Sequence, residues 1–501
     1  MVGIPVFFGI MKVGQRLDSR GRTGSRQAKA ELLKLKTGKT AVGGAALMYL
    51  KRKIYDRLME WKNDKSHSTL EVNGARQTGK TYIINKFADE NFKHKIYVNL
   101  FDLSGRQFME CYQKAMEWVP GNKRPEFPLH EAIRLYEPSF QDCGDTVIII
   151  DEIQESSEIY NRIREFTRQF EARFIITGSY LGRVLEPEFK YASGDITKLR
   201  IYTLSFEEFL EALDGELCQA WRQLSLPEAD DSRQQVYERL RLAYDQYCQI
   251  GGYPKVVETY LERREILEAQ KELVRIIQIF LEESMRYFKD ITDISVFTNI
   301  FLSICRILLR EKKGLGEDSV SEELQKLVTR NYSSNLSKET CNRAISWLYH
   351  SGIIGFCGKI IELDFLDFKP GRRCFFMDLG VATYYLNRVG TTEAAVCGTL
   401  NENYVFINLL KRQDFPEEIT FEMPAFATYK GGEIDYVVQT VQGHRRYLVE
   451  VKSGKGKAAT ALKALEAGKA DWLLYLKGNT KGGKEGKILP LPLYMLERFE
   501  F

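Results

Sequence analysis

Eight consecutive residues, Gly74, Ala75, Arg76, Gln77, Thr78, Gly79, Lys80 and Thr81, satisfy the pattern GxxxxGK(S/T). The chemistry explains the spacing: glycines let successive backbone N–H groups face a phosphate, a lysine ammonium neutralises β/γ charge, and the next hydroxyl can ligate Mg2+. A β-rich run, TLEV, precedes the loop and an apolar-periodic stretch, TYIINKF, follows it. That order puts a helix N-terminus under the phosphates of ATP. Downstream, residues 147–150 (VIII) run into Asp151 and Glu152. Placing two carboxylates against a buried apolar strand is costly without a use for them. Asp151 is expected to hold Mg2+ through water. Glu152 is expected to orient and polarise the attacking water, which favours hydrolysis over the phosphoryl transfer of a kinase. The next apolar run, FIIT, leads to Thr177 and Ser179, which either sense the γ-phosphate from the neighbouring strand or are ordinary strand-end hydroxyls.

A second constellation lies near the C-terminus. Asp435 sits in GGEIDYVV, and YLVEVK follows after a turn at Gly443. In a strand, Glu450 and Lys452 share one face, and a hairpin can bring Asp435 beside Glu450. Two carboxylates and a lysine can hold a divalent metal, a second Mg2+ or an Mn2+, and position water for phosphodiester attack. The pattern resembles the PD-(D/E)XK nuclease core without the proline of its name. Glu402, in the helical stretch LNENYVFINLLK, matches the acidic residue that such nucleases often take from their first helix. The other reading is a nuclease fold retained for binding or oligomerisation.

The elements that must position these residues follow from periodicity. Residues 1–47 are rich in Gly, Ser, Arg and Lys and form an unstructured leader, either a basic nucleic-acid tail or an extension upstream of a natural start at Met48. Residues 48–205 alternate β-rich runs (69–72, 96–100, 147–150, 174–177 and 199–204) with helical stretches, the pattern of a parallel sheet covered on both faces. Residues 206–290 are an all-helical appendage broken at Gly251, Gly252 and Pro254. Residues 291–390 read as a winged helix-turn-helix, with SKETCNRAISWLYHSG as recognition helix, Lys338 and Arg343 available for phosphates, and a wing turning at Lys369-Pro370-Gly371. Residues 391–501 return to mixed helix and strand and hold the nuclease-like pattern; Lys477, Lys481, Lys484 and Lys487 form a Gly-rich loop there, a backbone track or a solvated turn.

Composition excludes several classes. With 501 residues, 44% hydrophobic and 28% charged, the chain is neither disordered nor a minimal stapled fold. The net charge of +4 is concentrated in the leader, whose nine basic and two acidic residues leave the rest at −3. Nine cysteines without a CxxC pair fit reduced thiols and a cytoplasmic chain without structural zinc. No apolar stretch is long enough to span a bilayer, so no membrane partner is expected.

Taken in order, GARQTGKT, VIIIDEIQ, FIITGSYL, YTLSFEEF and QIGGYP resemble the prokaryotic AAA-type P-loop ATPases that carry a C-terminal domain of unknown function related to restriction endonucleases. The resemblance covers nearly everything from Met48 onward. It implies an α/β chain: an AAA-type parallel-sheet domain, a helical appendage, a winged helix and a restriction-endonuclease-like domain. It also implies ATP hydrolysis that regulates a module acting on DNA or, in the alternative, a regulatory ATPase whose inactive nuclease-like fold binds DNA or a protein partner. A homo-oligomer with an arginine finger supplied in trans would fit, from among Arg164, Arg168 and Arg183.

Overall fold

In the computed structural model the described residues are 49–117, 127–178, 188–190, 194–288, 295–310, 320–331, 337–367, 371–413, 418–420, 423–452, 458–478 and 480–501. The leader, Ser179, Arg183, Lys369 and Pro370 lie outside them. Five parallel strands, β1 (Thr69–Asn73), β2 (His94–Asn99), β3 (Thr146–Asp151), β4 (Arg173–Thr177) and β5 (Ile196–Arg200), pair in the order β2-β3-β4-β1-β5. Helices α1 (Ile54–Asn63) and α2 (Lys80–Asn91) cover one face, and α3 (Leu103–Met116), α4 (Pro128–Tyr136) and α5 (Ile163–Gln169) the other.

The run in β3 shows why both faces demand apolar residues. All six of its residues are buried; Val147 and Ile149 pack with Leu58, Trp61, Ile83 and Phe87, while Ile148 and Ile150 pack with Phe108, Ile133 and Phe166. Each such side chain contributes about 1.5–3 kcal/mol on burial, which offsets the cost of holding Asp151 at the strand's inner end. The strand expected at 199–204 is displaced. It spans Ile196–Arg200, because β1 offers partners from Thr69↔Ile196 to Asn73↔Arg200 and then turns into the loop.

Beyond the sheet, α6 (Phe206–Leu213), α7 (Gly215–Gln223), α8 (Gln234–Ile250), α9 (Pro254–Arg263) and α10 (Ile266–Tyr287) follow one another as helices. The SFEE sequence is a capping box, with Ser205 accepting from Glu208 N and the Glu208 side chain from Ser205 N. Glu497 reinforces the same helix start, accepting from Phe206 N (2.8 Å) and Glu207 N (3.1 Å). The break after α8 has its own cause: Gly251 has φ +73°, and a Cβ there would lie 2.2 Å from Asp378 Oδ1.

The C-terminal half contains α11 (Ser295–Leu308), α12 (Val320–Asn331), α13 (Lys338–His350), α14 (Leu379–Leu386), α15 (Glu393–Arg412) and α16 (Ala459–Glu466). Its strands are β6 (Ile354–Ile361), β7 (Phe365–Asp367), β8 (Arg373–Phe376), β9 (Ala425–Tyr429), β10 (Gly432–Gln439), β11 (Arg446–Lys452), β12 (Trp472–Lys477) and β13 (Ile488–Pro492). They form one sheet in the order β13-β12-β11-β10-β9-β6-β7, with β8 paired to β6. The sheet crosses the boundary expected between residues 390 and 391. The hairpin strand β6 pairs in parallel with β9 from Gly358↔Ala425 to Ile360↔Ala427, so the expected wing and nuclease-like segment share a ladder. All nine cysteines are free thiols.

Candidate functional site

The loop at the C-terminal end of β1 wraps back on itself. Gly74 has φ +149°, and a Cβ there would stand 2.2 Å from the Ile201 carbonyl oxygen, so the close pass of the two chains requires glycine. Thr78 Oγ1 donates to Ala75 O at 2.8 Å, and Lys80 Nζ donates to Gly74 O (2.8 Å) and Ala75 O (2.9 Å). The Lys80 ammonium is thus held by loop carbonyls, partners that a phosphate oxygen can replace. Burial pushes its pKa down to about 8, against the pull of Glu152 and Asp151.

Asp151 lies beside this loop because β3 is two strands from β1. Its Oδ2 accepts from Thr81 Oγ1 (3.0 Å) and Tyr97 OH (2.7 Å), and its Oδ1 from Glu152 N (2.9 Å). Burial raises the Asp151 pKa against those hydrogen bonds. Glu152 occupies the left-handed region at φ +53°, a conformation that costs a non-glycine residue free energy and clusters at functional positions. Gln154 donates to its Oε2. Thr177 Oγ1 is buried and has no hydrogen-bond partner among the described residues. A magnesium nucleotide fits this donor set: Thr81 and Asp151 supply hard oxygens, and Thr177 keeps an unused hydroxyl on the adjoining strand end. The cation would be held by Thr81 and Asp151, where it supplies neutralisation of charge on the terminal phosphates.

Two features above the loop had no signal in the sequence. Arg76 Nη2 pairs with Glu283 Oε1 of α10 at 2.9 Å, and the Gly352 turn after α13 packs against the loop, where a Cβ would be in van der Waals contact with Ala75 N at 3.4 Å. Tyr287, one helical turn beyond Glu283, is held above its ordinary pKa by burial and by the charges of Glu283, Glu155 and Glu152. Below the loop, the buried Arg52 donates to Thr78 O (3.0 Å), Tyr202 O (2.7 Å) and Glu208 Oε1 (3.2 Å). One guanidinium therefore joins the phosphate loop, the end of the sheet and the helical layer. A lone arginine 26 residues before Thr78 carries no local pattern that would mark it.

At the C-terminal constellation, β10 and β11 pair antiparallel through Tyr436↔Val449, and one step further places Asp435 opposite Glu450. Lys452 Nζ lies 3.2 Å from Asp435 Oδ2 and 2.7 Å from Glu450 Oε2, and Asp435 Oδ2 also accepts from Val451 N at 2.8 Å. Glu402 lies in α15 within the field of Arg373 and Glu433. Arg373 and Glu433 escaped the sequence reading. Arg373 is 0% exposed, stacks 3.9 Å from the Phe426 ring centroid and is ion-paired with Glu433. Burial raises the Glu450 pKa, with Asp435 adding to it. At Lys452, Asp435 and Glu450 overcome the opposing effect of burial and raise the pKa. The second Mg2+ or Mn2+ expected here meets acids whose oxygens already face the protein cations Lys452 and Arg373. Among the described residues no group of three His, Cys, Asp or Glu side chains is arranged to hold a metal ion.

Other candidates are accounted for locally. Arg164 and Arg168 both pair with Asp195, at 3.6 and 3.1 Å. Lys338 and Arg343 are exposed on α13, with Arg343 over the Phe288 ring. Lys481 pairs with Asp231 at 2.7 Å, while Lys477 and Lys484 lie over Tyr475 and Trp472, so this loop is tied down by specific contacts. Among the described residues no helix is long and apolar enough to cross a membrane.

Comparison with known families agrees with the geometry of the first site. Residues 66–210 match the family described as AAA domain. This segment is similar to AAA domains. Beyond the AAA domain, residues 241–392 and 397–494 match two domains of unknown function, DUF8612 and DUF4143. An uncharacterized protein of Haemophilus influenzae is 21% identical over 345 residues, covering 68% of this chain and 74% of that protein. Among solved structures, the Walker-type ATPase of Pyrococcus abyssi is 14% identical with a TM-score of 0.41, covering 68% of this chain and 96% of that one. The Holliday junction branch migration motor RuvB of Thermotoga maritima is 12% identical with a TM-score of 0.28, covering 61% of this chain and 90% of that one.

Proposed function

We propose that this protein is an ATP-hydrolysing switch in which the nucleotide state of the AAA domain is passed to a C-terminal module that binds DNA. Lys80 and the loop amides hold the phosphates, Thr81 and Asp151 the Mg2+, Glu152 positions the attacking water, and Thr177, with Ser179 beyond the described residues, senses the terminal phosphate. The observation that carries the reading is the Arg76–Glu283 ion pair, which ties a residue of the phosphate loop to α10. A triphosphate entering the loop competes for Arg76, and the helix that loses this partner leads directly into the C-terminal half.

For that half we favour a nuclease-like fold used for binding. The support is Lys452, whose ammonium contacts both Asp435 and Glu450 and so occupies the carboxylate oxygens that a metal ion would need. The test combines phosphate release with plasmid integrity in Mg2+ or Mn2+, for the native chain beside Lys80→Ala, Glu152→Gln and Lys452→Ala. ATP-dependent phosphate release lost in the first two variants, with intact plasmid throughout, is expected. Strand breaks abolished by Lys452→Ala would replace the binding reading with a nuclease, and absence of hydrolysis by the native chain would overturn the switch.

A further inference from the structure

A cavity of about 680 Å³ lies between α1, the end of β5, α15 and the C-terminal residues, beside the phosphate loop but lined by none of its residues. Its described lining contains eight basic side chains and four carboxylates. Most of the basic groups are committed. Arg52 is held by Glu208 and two carbonyls, Arg412 donates to Leu496 O (2.9 Å) and Phe499 O (2.7 Å), and Arg498 donates to Leu224 O (2.9 Å).

Two are not. Arg200 and Lys411 have no carboxylate partner among the described residues. Both lie 5.5 Å from the Tyr202 ring centroid, and the polar contact of Lys411 is a long one, 3.5 Å to Thr203 O. Burial pushes the Lys411 pKa down, with Glu497 and Glu208 opposing. An excess of positive charge lining a recess of ligand size is unfavourable for the empty protein and favourable for an anion.

We propose that this cavity is a second ligand site, taking a small anion with two or more phosphate groups, whose charges are met by Arg200 and Lys411, both held against Tyr202. The site is separate from the ATP site: Lys411 and Tyr202 lie outside the phosphate loop, and Arg52, which lines the cavity, also donates to Thr78 O. A ligand bound here would therefore sit one side chain away from the loop that holds ATP. The same chemistry could come from inorganic pyrophosphate or from the diphosphate of a nucleotide.

The experiment is isothermal titration of the full chain carrying Lys80→Ala, which removes the phosphate-loop ammonium, with pyrophosphate in one arm and ADP in the other. Saturable binding is expected in at least one arm, weakened roughly tenfold or more by Arg200→Gln and by Lys411→Met and largely kept in Lys411→Arg. Pyrophosphate binding alone would assign an inorganic ligand, and ADP binding alone a nucleotide. Absence of saturable binding in both arms overturns the proposal, as does binding that neither Arg200→Gln nor Lys411→Met weakens. Should Lys411→Met lose its native circular dichroism, Arg200→Gln and the retained affinity of Lys411→Arg decide the matter.

Discussion

The phosphate loop and the β10–β11 constellation both gather lysine and carboxylates at strand ends, yet they satisfy those charges in opposite ways. In the loop, Lys80 rests on two backbone carbonyls and Asp151 accepts from hydroxyls and an amide. At the C-terminal cluster, cations meet anions directly: Lys452 spans Asp435 and Glu450, and Arg373 pairs with Glu433. Neutral partners are exchanged for a charged ligand at low cost, whereas a buried ion pair must be broken and its members left uncompensated. Similar residue types therefore make a site ready for an anion in one place and a cluster of internal ion pairs in the other.

The widest test of this contrast is Glu152→Gln, expected to lower ATP hydrolysis by about 10²–10⁴-fold with nucleotide binding kept, measured by phosphate release and fluorescent-nucleotide titration. In the C-terminal cluster, Arg373→Met is expected to cost about 1–3 kcal/mol of stability in urea unfolding, because the partly buried Glu433 is then left without its cation. A neutral effect there would mean that the cluster is wet and open, and the contrast would fail.

Between the two regions, Glu208→Gln is expected to cost about 2 kcal/mol near neutral pH. Burial raises the Glu208 pKa, but Arg52, Lys411 and the backbone N–H groups of Ser205 and Lys53 together outweigh it and leave the group below its ordinary 4.5. A depressed carboxylate stabilises fully above the unfolded value and loses that contribution as pH falls through the folded one. The difference in melting temperature between native and variant chains should thus be level from pH 7 to about 5.5 and shrink below 4.5. The smallest effect is that of Glu283→Gln, expected to tighten ATP binding up to about fivefold by releasing the partly exposed Arg76 from the buried Glu283, as read by titration.

The parts legible in advance share one property: their partners are close in sequence. The loop from Gly74 to Thr81 is a strand-to-helix turn, the β3 run carries its own periodicity, and the SFEE capping box closes over four residues. The β10–β11 hairpin is similarly local, which is why Asp435, Glu450 and Lys452 could be placed together. The end of β5 could not be placed by composition, since residues 201–204 are as apolar as a strand but have no β1 partner left.

By itself the sequence determined the nucleotide chemistry, because the phosphate-binding geometry is built from consecutive backbone groups whose residue types are visible in a short window. Tertiary structure alone decided what that chemistry is connected to. Arg52 finds Glu208 across 156 residues, Arg76 finds Glu283, and β6 joins β9 across the expected domain boundary. Such pairs are selected by the packing of whole layers, and a single charged residue on a helix or loop has no periodicity from which its distant partner could be read.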